Sequence, residues 1–311
     1  MIKEDKRLVN KIKELKKKRN AIILAHNYQL PEVQDIADFR GDSLELSRIA
    51  AKTEAEVIVF CGVYFMAETA FILSPDKLVI MPDVSAGCPM ANMMNADDLR
   101  KLKREHPGAV AVGYVNTSAA VKAELDYCCT STNAVAIVNA ITKNFASGGE
   151  KEIIFVPDKY LADYVSKKSG RKLISWHGFC PTHVKILPED LKREKKFHPQ
   201  AKVMVHPECL ASVVALADAV LSTSQMAKYA SQDPAGEFIV GTESGLIYRL
   251  KQDNPTKEFY LASERAVCPN MKRTTQEKVL WALEELKDEV RVPEEIRKKA
   301  RLAIERMLKI I

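Results

Sequence analysis

The chain reads as an α/β protein built from three copies of one α/β unit. Three observations predict this. Cysteine is followed by proline only at Cys88, Cys180 and Cys268, which lie 92 (180 − 88) and 88 (268 − 180) residues apart. Each of these follows a short apolar, strand-like run, LVIMPD, KLISW or EFYLA. Between them, helix-period and strand-period segments alternate, the pattern of a parallel sheet with helices on both faces.

The repeat can be followed element by element. Residues 96–115, ADDLRKLKREHPGAVAVGYV, align at a shift of 92 with residues 188–207, PEDLKREKKFHPQAKVMVHP. Asp98-Leu99 falls on Asp190-Leu191, and His106-Pro107 on His198-Pro199. Both segments are a charged helix, a His-Pro stop and a β-branched strand. Residues 5–27 have the same shape. The strand ends then superimpose: His26 and Tyr28 fall on Tyr114 and Asn116, then on His206 and Glu208. Ser43 falls on Ser131 and Thr223, each opening a predicted helix. A second strand follows in each copy (EVIVFCG, EIIFVPD, EFIVGTE), then a helix (FMAETAFI, YLADYVSKK, SGLIYRL), then the strand before Cys-Pro.

Each unit therefore reads β-α-β-α-β behind a leading helix. The expected boundaries are 1–90, 91–181 and 182–271, with two helices in 272–311 packing back on the first unit. The units are expected around a pseudo-threefold axis with the active site at its centre, because open parallel sheets carry ligands at their strands' carboxyl ends.

Bulk properties narrow the function classes. No run of 18 apolar residues occurs, so no membrane span is expected. The first twenty residues lack an apolar signal region, so the expected location is the cytoplasm. They hold nine Lys/Arg against three acids, which alone equals the net charge of +6. Leu8, Ile12 and Leu15 form a stripe on that segment, so the basic residues read as the solvated face of an amphipathic helix and not as a nucleic-acid site. Seven cysteines in a reducing compartment favour ligand or catalytic roles over disulfides.

Three cysteines, one from each unit, suit a metal or iron–sulfur site with one coordination position left open. A [4Fe–4S] cluster with a free iron and a three-cysteine zinc site both meet this description. Cys61, Cys128, Cys129 and Cys209 do not recur and read as core residues. Ser43, Ser131, Ser222 and Thr223 stand at helix starts, where hydroxyls and backbone N–H groups bind carboxylate or phosphate. His26, Tyr28, Tyr114, Asn116 and His206 offer donors at the strand ends. Glu208 is the one carboxylate among those positions and suits general acid/base work.

Together these segments resemble the quinolinate synthase family, the "A" protein of bacterial and archaeal NAD biosynthesis. The resemblance is carried by AHNYQLPEVQDIADFRGDSLELS (25–47), GCPM (87–90), GYVNTSA (113–119), CTSTNA (129–134), WHGFCPTH (176–183), VHPEC (205–209), LSTSQM (221–226), GTESG (241–245) and AVCPNM (266–271). It implies three homologous α/β domains around a central [4Fe–4S] cluster on Cys88, Cys180 and Cys268. It implies condensation of iminoaspartate with dihydroxyacetone phosphate, releasing phosphate and two waters. It makes Glu208 the acid/base and Tyr28 a catalytic hydroxyl, with His26 the third catalytic residue. His26, Ser43, Tyr114, Asn116, Ser131, His206, Ser222 and Thr223 become substrate-binding residues. It also implies a link to an aspartate oxidase or dehydrogenase. Some members carry Cys-x2-Cys around the third ligand, whereas here Pro269, Asn270 and Met271 follow Cys268. Another cluster-dependent hydro-lyase acting on a small hydroxy-acid is the alternative.

Overall fold

A computed structural model describes residues 6–143 and 151–310. The first repeat comprises α1 (Lys6–Lys18), β1 (Ala21–His26), α2 (Pro31–Ile36), β2 (Phe39–Gly41), α3 (Ser43–Lys52), β3 (Val57–Cys61), α4 (Tyr64–Leu73) and β4 (Leu78–Ile80). The second comprises α5 (Ala96–Glu105), β5 (Val110–Tyr114), α6 (Ala119–Lys122), β6 (Tyr127–Cys129), α7 (Ala134–Lys143), β7 (Ile153–Val156), α8 (Lys159–Ser169) and β8 (Ile174–Ser175). The third comprises α9 (Pro188–Phe197), β9 (Lys202–Val205), α10 (Ala211–Val214), β10 (Ala219–Val220), α11 (Thr223–Gln232), β11 (Glu237–Gly241), α12 (Leu246–Asp253) and β12 (Glu258–Leu261). Two further helices follow, α13 (Gln276–Glu285) and α14 (Glu294–Leu308).

The three sheets have one topology, β2-β1-β3-β4, β6-β5-β7-β8 and β10-β9-β11-β12, with every pairing parallel. Strands such as VIVFC in β3 and IIFV in β7 are buried along their whole length, as a sheet covered on both faces requires. The α/β expectation holds, with one addition. Each sheet has a fourth strand, the short edge strand β2, β6 or β10, where the sequence reading had three.

The edge strands share an anchor. Asp38, Asp126 and Asp218 stand just before them at the repeat spacings of 88 (126 − 38) and 92 (218 − 126). Each carboxylate accepts the backbone N–H of the neighbouring central strand: Ile23 at 2.8 Å, Ala111 at 2.8 Å and Val203 at 2.7 Å. Each aspartate N–H returns a bond of 2.9 Å to the same residue's carbonyl. One side chain thus closes a two-way clasp that a strand of two or three residues cannot make alone.

The chain forms two compact units. The first holds the chain to Cys88 together with Cys268–Pro293. Its core packs Val9 and Ile12 of α1, Ile23 of β1, Val59 of β3, and Val279 and Leu283 of α13. The second holds Pro89–Val267 with α14, and so contains the second and third sheets. In the third repeat Leu191, Val203, Val205, Val213 and Ile239 form the core. The sequence reading placed both tail helices on the first repeat. Only α13 is there, against α1, while α14 lies against β6 and α6 of the second repeat. The Arg306 guanidinium fixes that seat by donating to the Asp126 carbonyl at 2.8 Å. Among the described residues no helix is long and apolar enough to cross a membrane.

Candidate active site

The residues singled out at the strand ends of the second and third repeats meet within one unit. β5 ends at Tyr114, and His206 follows β9 directly. His206 is buried and its Nδ1 accepts the Glu208 N–H at 3.3 Å. The ring proton of neutral His206 therefore sits on Nε2, which faces Ser131 Oγ at 3.2 Å. Burial pushes the His206 pKa down to about 3, against the opposing pull of Glu208. The same local bond recurs in the first unit: the Tyr28 N–H donates to His26 Nδ1 at 3.2 Å. The two rings there pack edge-on with centroids 4.6 Å apart.

Glu208 sits at the middle of this cluster, with 3% of its surface exposed. Burial alone would raise its pKa, but His183, His206 and the Tyr114 hydroxyl outweigh burial and hold it below the ordinary carboxylate range. His183 is the principal partner. Its Nδ1 lies 2.8 Å from Glu208 Oε2 and 3.2 Å from Cys180 Sγ. Its Nε2 lies 2.8 Å from Thr242 Oγ1, and its ring stacks on His206 at 4.6 Å. A carboxylate facing Nδ1 places the proton there, leaving Nε2 to accept from the Thr242 hydroxyl. The sequence reading did not single out His183 or Thr242. The available signal was Cys180-Pro-Thr-His183, a Cys-x2-His spacing, together with Thr242 at the end of β11.

A second buried carboxyl lies in the same unit. Asp158 caps α8, and its Oδ1 accepts the Tyr160 and Leu161 N–H groups at 2.8 Å each. Burial and then the Glu208 charge raise its pKa well above the usual range, despite bonds from these N–H groups and that of Cys180. Two neighbouring carboxyls are thus driven apart, Glu208 towards the ionised form and Asp158 towards the protonated one.

Hydroxyls gather beside them. Ser222 caps α11 and Thr223 is its first residue, and both are buried. The Thr132 hydroxyl donates to Ser222 Oγ at 2.8 Å, linking the turn that carries Ser131 to the start of α11. Asn116 is half-buried, and its Oδ1 is buried without a hydrogen-bond partner among the described residues. In the first unit Ser43 opens α3, but Asp42 and Glu45 form the capping box there, so its hydroxyl is not spent on the cap. The Lys272 ammonium donates to the Tyr28 carbonyl and Met271 Sδ receives Gln29 Nε2 at 3.5 Å, tying the Cys268 loop to the Tyr28 loop.

The seven cysteines divide into two groups. Cys61, Cys128, Cys129 and Cys209 are buried, and burial raises all four thiols, Cys128 to about 12, so they stay protonated. Cys88, Cys180 and Cys268 are half-exposed. The three Cys-Pro thiols are thus the ones that burial leaves accessible, the chemistry a thiolate ligand requires. Cys180, His183 and Glu208 also place one ligand atom each within 4.8 Å of one another, a set able to hold a single ion.

A family model described as "NadA: Quinolinate synthetase A protein" matches residues 10–309. The chain belongs to the quinolinate synthase family. A quinolinate synthase of Dehalococcoides mccartyi is 57% identical over 302 residues, covering 97% of this chain and 98% of that protein. One from Thermodesulfovibrio yellowstonii is 56% identical over 306 residues, covering 98% and 99%. The archaeal quinolinate synthase 1 of Methanosarcina acetivorans is 52% identical over 303 residues, covering 97% of both chains. The family is one of enzymes of NAD biosynthesis and points to a metal cofactor, and the Cys180, His183 and Glu208 donors above are a set able to hold a metal ion.

Proposed function

We propose that the chain makes quinolinate from iminoaspartate and dihydroxyacetone phosphate, with loss of phosphate and two waters. The atoms balance without an oxidant or reductant, so the reaction asks for acids, bases and anion donors and not for electron transfer. The observation that carries this reading is the buried, ionised Glu208, held by His183 and Tyr114 beside Cys180. Glu208 takes the protons that isomerisation and ring closure release. Tyr28 and His26 give and take the proton at the carbonyl. Ser43, Ser131, Ser222 and Thr223, with Tyr114, Asn116 and His206, bind two carboxylates and a phosphate. Family membership supports a [4Fe–4S] cluster on Cys88, Cys180 and Cys268, so that Glu208 stands near its second ligand. When bound, such a cluster supplies a Lewis-acidic iron for an oxygen that leaves as water. Iminoaspartate is unstable in water, so a flavin- or nicotinamide-dependent oxidation of aspartate is the class of reaction that must supply it.

The Cys180–His183–Glu208 triple favours a second reading, a single zinc ion with an open position. One experiment separates the two. Protein purified and reconstituted without oxygen is assayed for iron, sulfide and zinc beside Cys88→Ser. About four irons and four sulfides per chain, lost in the variant, support the cluster. Zinc without sulfide, retained in Cys88→Ser, supports the single ion. Normal quinolinate formation by a cluster-free Cys88→Ser removes the cluster from the reaction. Glu208→Gln should bind substrate and stall, and unchanged turnover would remove Glu208 as the base.

A further inference from the structure

The turn from Thr130 to Asn133 joins β6 to α7 and carries Ser131 and Thr132. It is closed from within: Thr130 N–H and Oγ1–H donate to Asn133 Oδ1 at 2.9 and 3.1 Å. The Asn133 and Ala134 N–H groups return to the Thr130 carbonyl at 3.2 and 2.9 Å. The other end of the Asn133 amide points elsewhere. Its Nδ2 donates to the Met307 and Ile310 carbonyls, both at 3.3 Å. Both carbonyls lie at the end of α14, where acceptors run out of intrahelical donors, and that of Met307 also takes the Ile310 N–H at 3.2 Å. Asn133 is only 3% exposed, so water is a poor substitute at either end. The same turn reaches the site on its open side, through Ser131 to His206 and Thr132 to Ser222.

We infer that Asn133 is a positioning residue, and that the last turn of α14 is the strut against which the Ser131–Thr132 turn is set for anion binding. An asparagine satisfies the turn with its oxygen and the helix end with its nitrogen, and no other small side chain serves both. Aspartate keeps the first role and sets a carboxylate oxygen against two carbonyls. The strut's effect on turnover rests on the quinolinate reading above, but its effect on the turn does not.

The far side of the latch can be broken without touching the turn. Lys309 is exposed, and its N–H donates to the Glu305 carbonyl at 3.2 Å. Lys309→Pro removes that bond and turns residue 308 out of the helical region, moving the carbonyls that Asn133 grips. The test uses Asn133→Asp, Lys309→Pro, the double variant and Lys309→Ala as control. Hydrogen exchange of the 130–134 amides in resting enzyme should quicken about tenfold in the first two and stay at the wild-type rate in the control. The KM for dihydroxyacetone phosphate should rise about fivefold, the size of one lost hydrogen bond, with kcat within about twofold. The double variant should be no worse than the weaker single, because both cut one link. Wild-type exchange in Lys309→Pro overturns the strut, as do additive effects in the double variant. If the wild-type enzyme makes no quinolinate, the exchange arm still decides the strut while the functional reading falls.

Discussion

Replacing Asp126 with alanine strips the clasp that holds the edge strand of the second sheet. The Ala111 N–H that it serves belongs to a residue with no exposed surface. Val110 and the residues after Ala111 bond elsewhere in the sheet, so nothing in the ladder takes over that donor. An orphaned buried donor costs about 1–3 kcal/mol, and a charged acceptor places the loss near the middle, about 2 kcal/mol. Asp126→Asn keeps an acceptor oxygen at the same place and loses only the charge, about 0.5–1 kcal/mol. Asp218 is exposed, so water can replace its carboxylate and Asp218→Ala should cost about 1 kcal/mol. Asp38 serves Ile23, which has no exposed surface either, but Asp38 is itself exposed, so water can take its place there too, and its ion pair with Lys16 at 2.5 Å adds little. The ranking is therefore Asp126→Ala first, with the other two alanine variants and Asp126→Asn below it. Calorimetry reads this as a fall of about 4–8 °C in the transition of the second unit for Asp126→Ala. Exchange of the Ala111 amide should quicken with it. Equal losses for Asp126→Asn and Asp126→Ala, or for Asp218→Ala and Asp126→Ala, would refute the clasp as the source of the stability.

Two further outcomes test packing and charge. A methyl group on Gly113 of β5 would come 2.1 Å from Leu125 Cδ1, so Gly113→Ala should cost about 2 kcal/mol and Leu125→Ala about 3. The double variant should cost clearly less than the two together, since each relieves the other, and simple additivity in urea unfolding would show that the crowding is not felt. In the first unit, burial raises the Asp83 pKa, but Lys278 at 2.6 Å and the Ser85 N–H at 2.9 Å prevail and lower it. A lowered native pKa gives stability that is present above the unfolded value near 4 and is lost as pH falls through the native one. Asp83→Asn should therefore melt earlier than wild type at pH 7, by about 1 kcal/mol, and the gap should close below about pH 4. A gap that persists unchanged at pH 2.5 would assign the loss to packing.

What the residues disclose on their own follows from how often a feature is repeated. The His-Pro stops are legible because they occur twice. His106 and His198 close α5 and α9 with nearly the same backbone angles, φ −126° and ψ 72° against φ −127° and ψ 68°. Edge strands of two or three residues are too short to show a period, and only the recurring aspartate before them marks their place. The buried face of α14, Ala300, Ala303, Ile304 and Met307, announces an amphipathic helix but carries no address, so its seat on β6 had no signal in sequence. The site reverses this logic. A repeat lays down three equivalent frames, and chemistry needs them to differ. At one frame position the copies hold Tyr28, Asn116 and Glu208, so a hydroxyl, an amide and a carboxylate stand at equivalent places. Three residues beyond the cysteines they hold Ala91, His183 and Met271. A search for what recurs finds the cysteines and passes over His183, because it occurs once. Yet His183 is the side chain that touches Glu208, Cys180 and Thr242 together. The polar residues that break the threefold pattern at the strand ends, and not those that keep it, are where the acid/base work proposed for this fold falls.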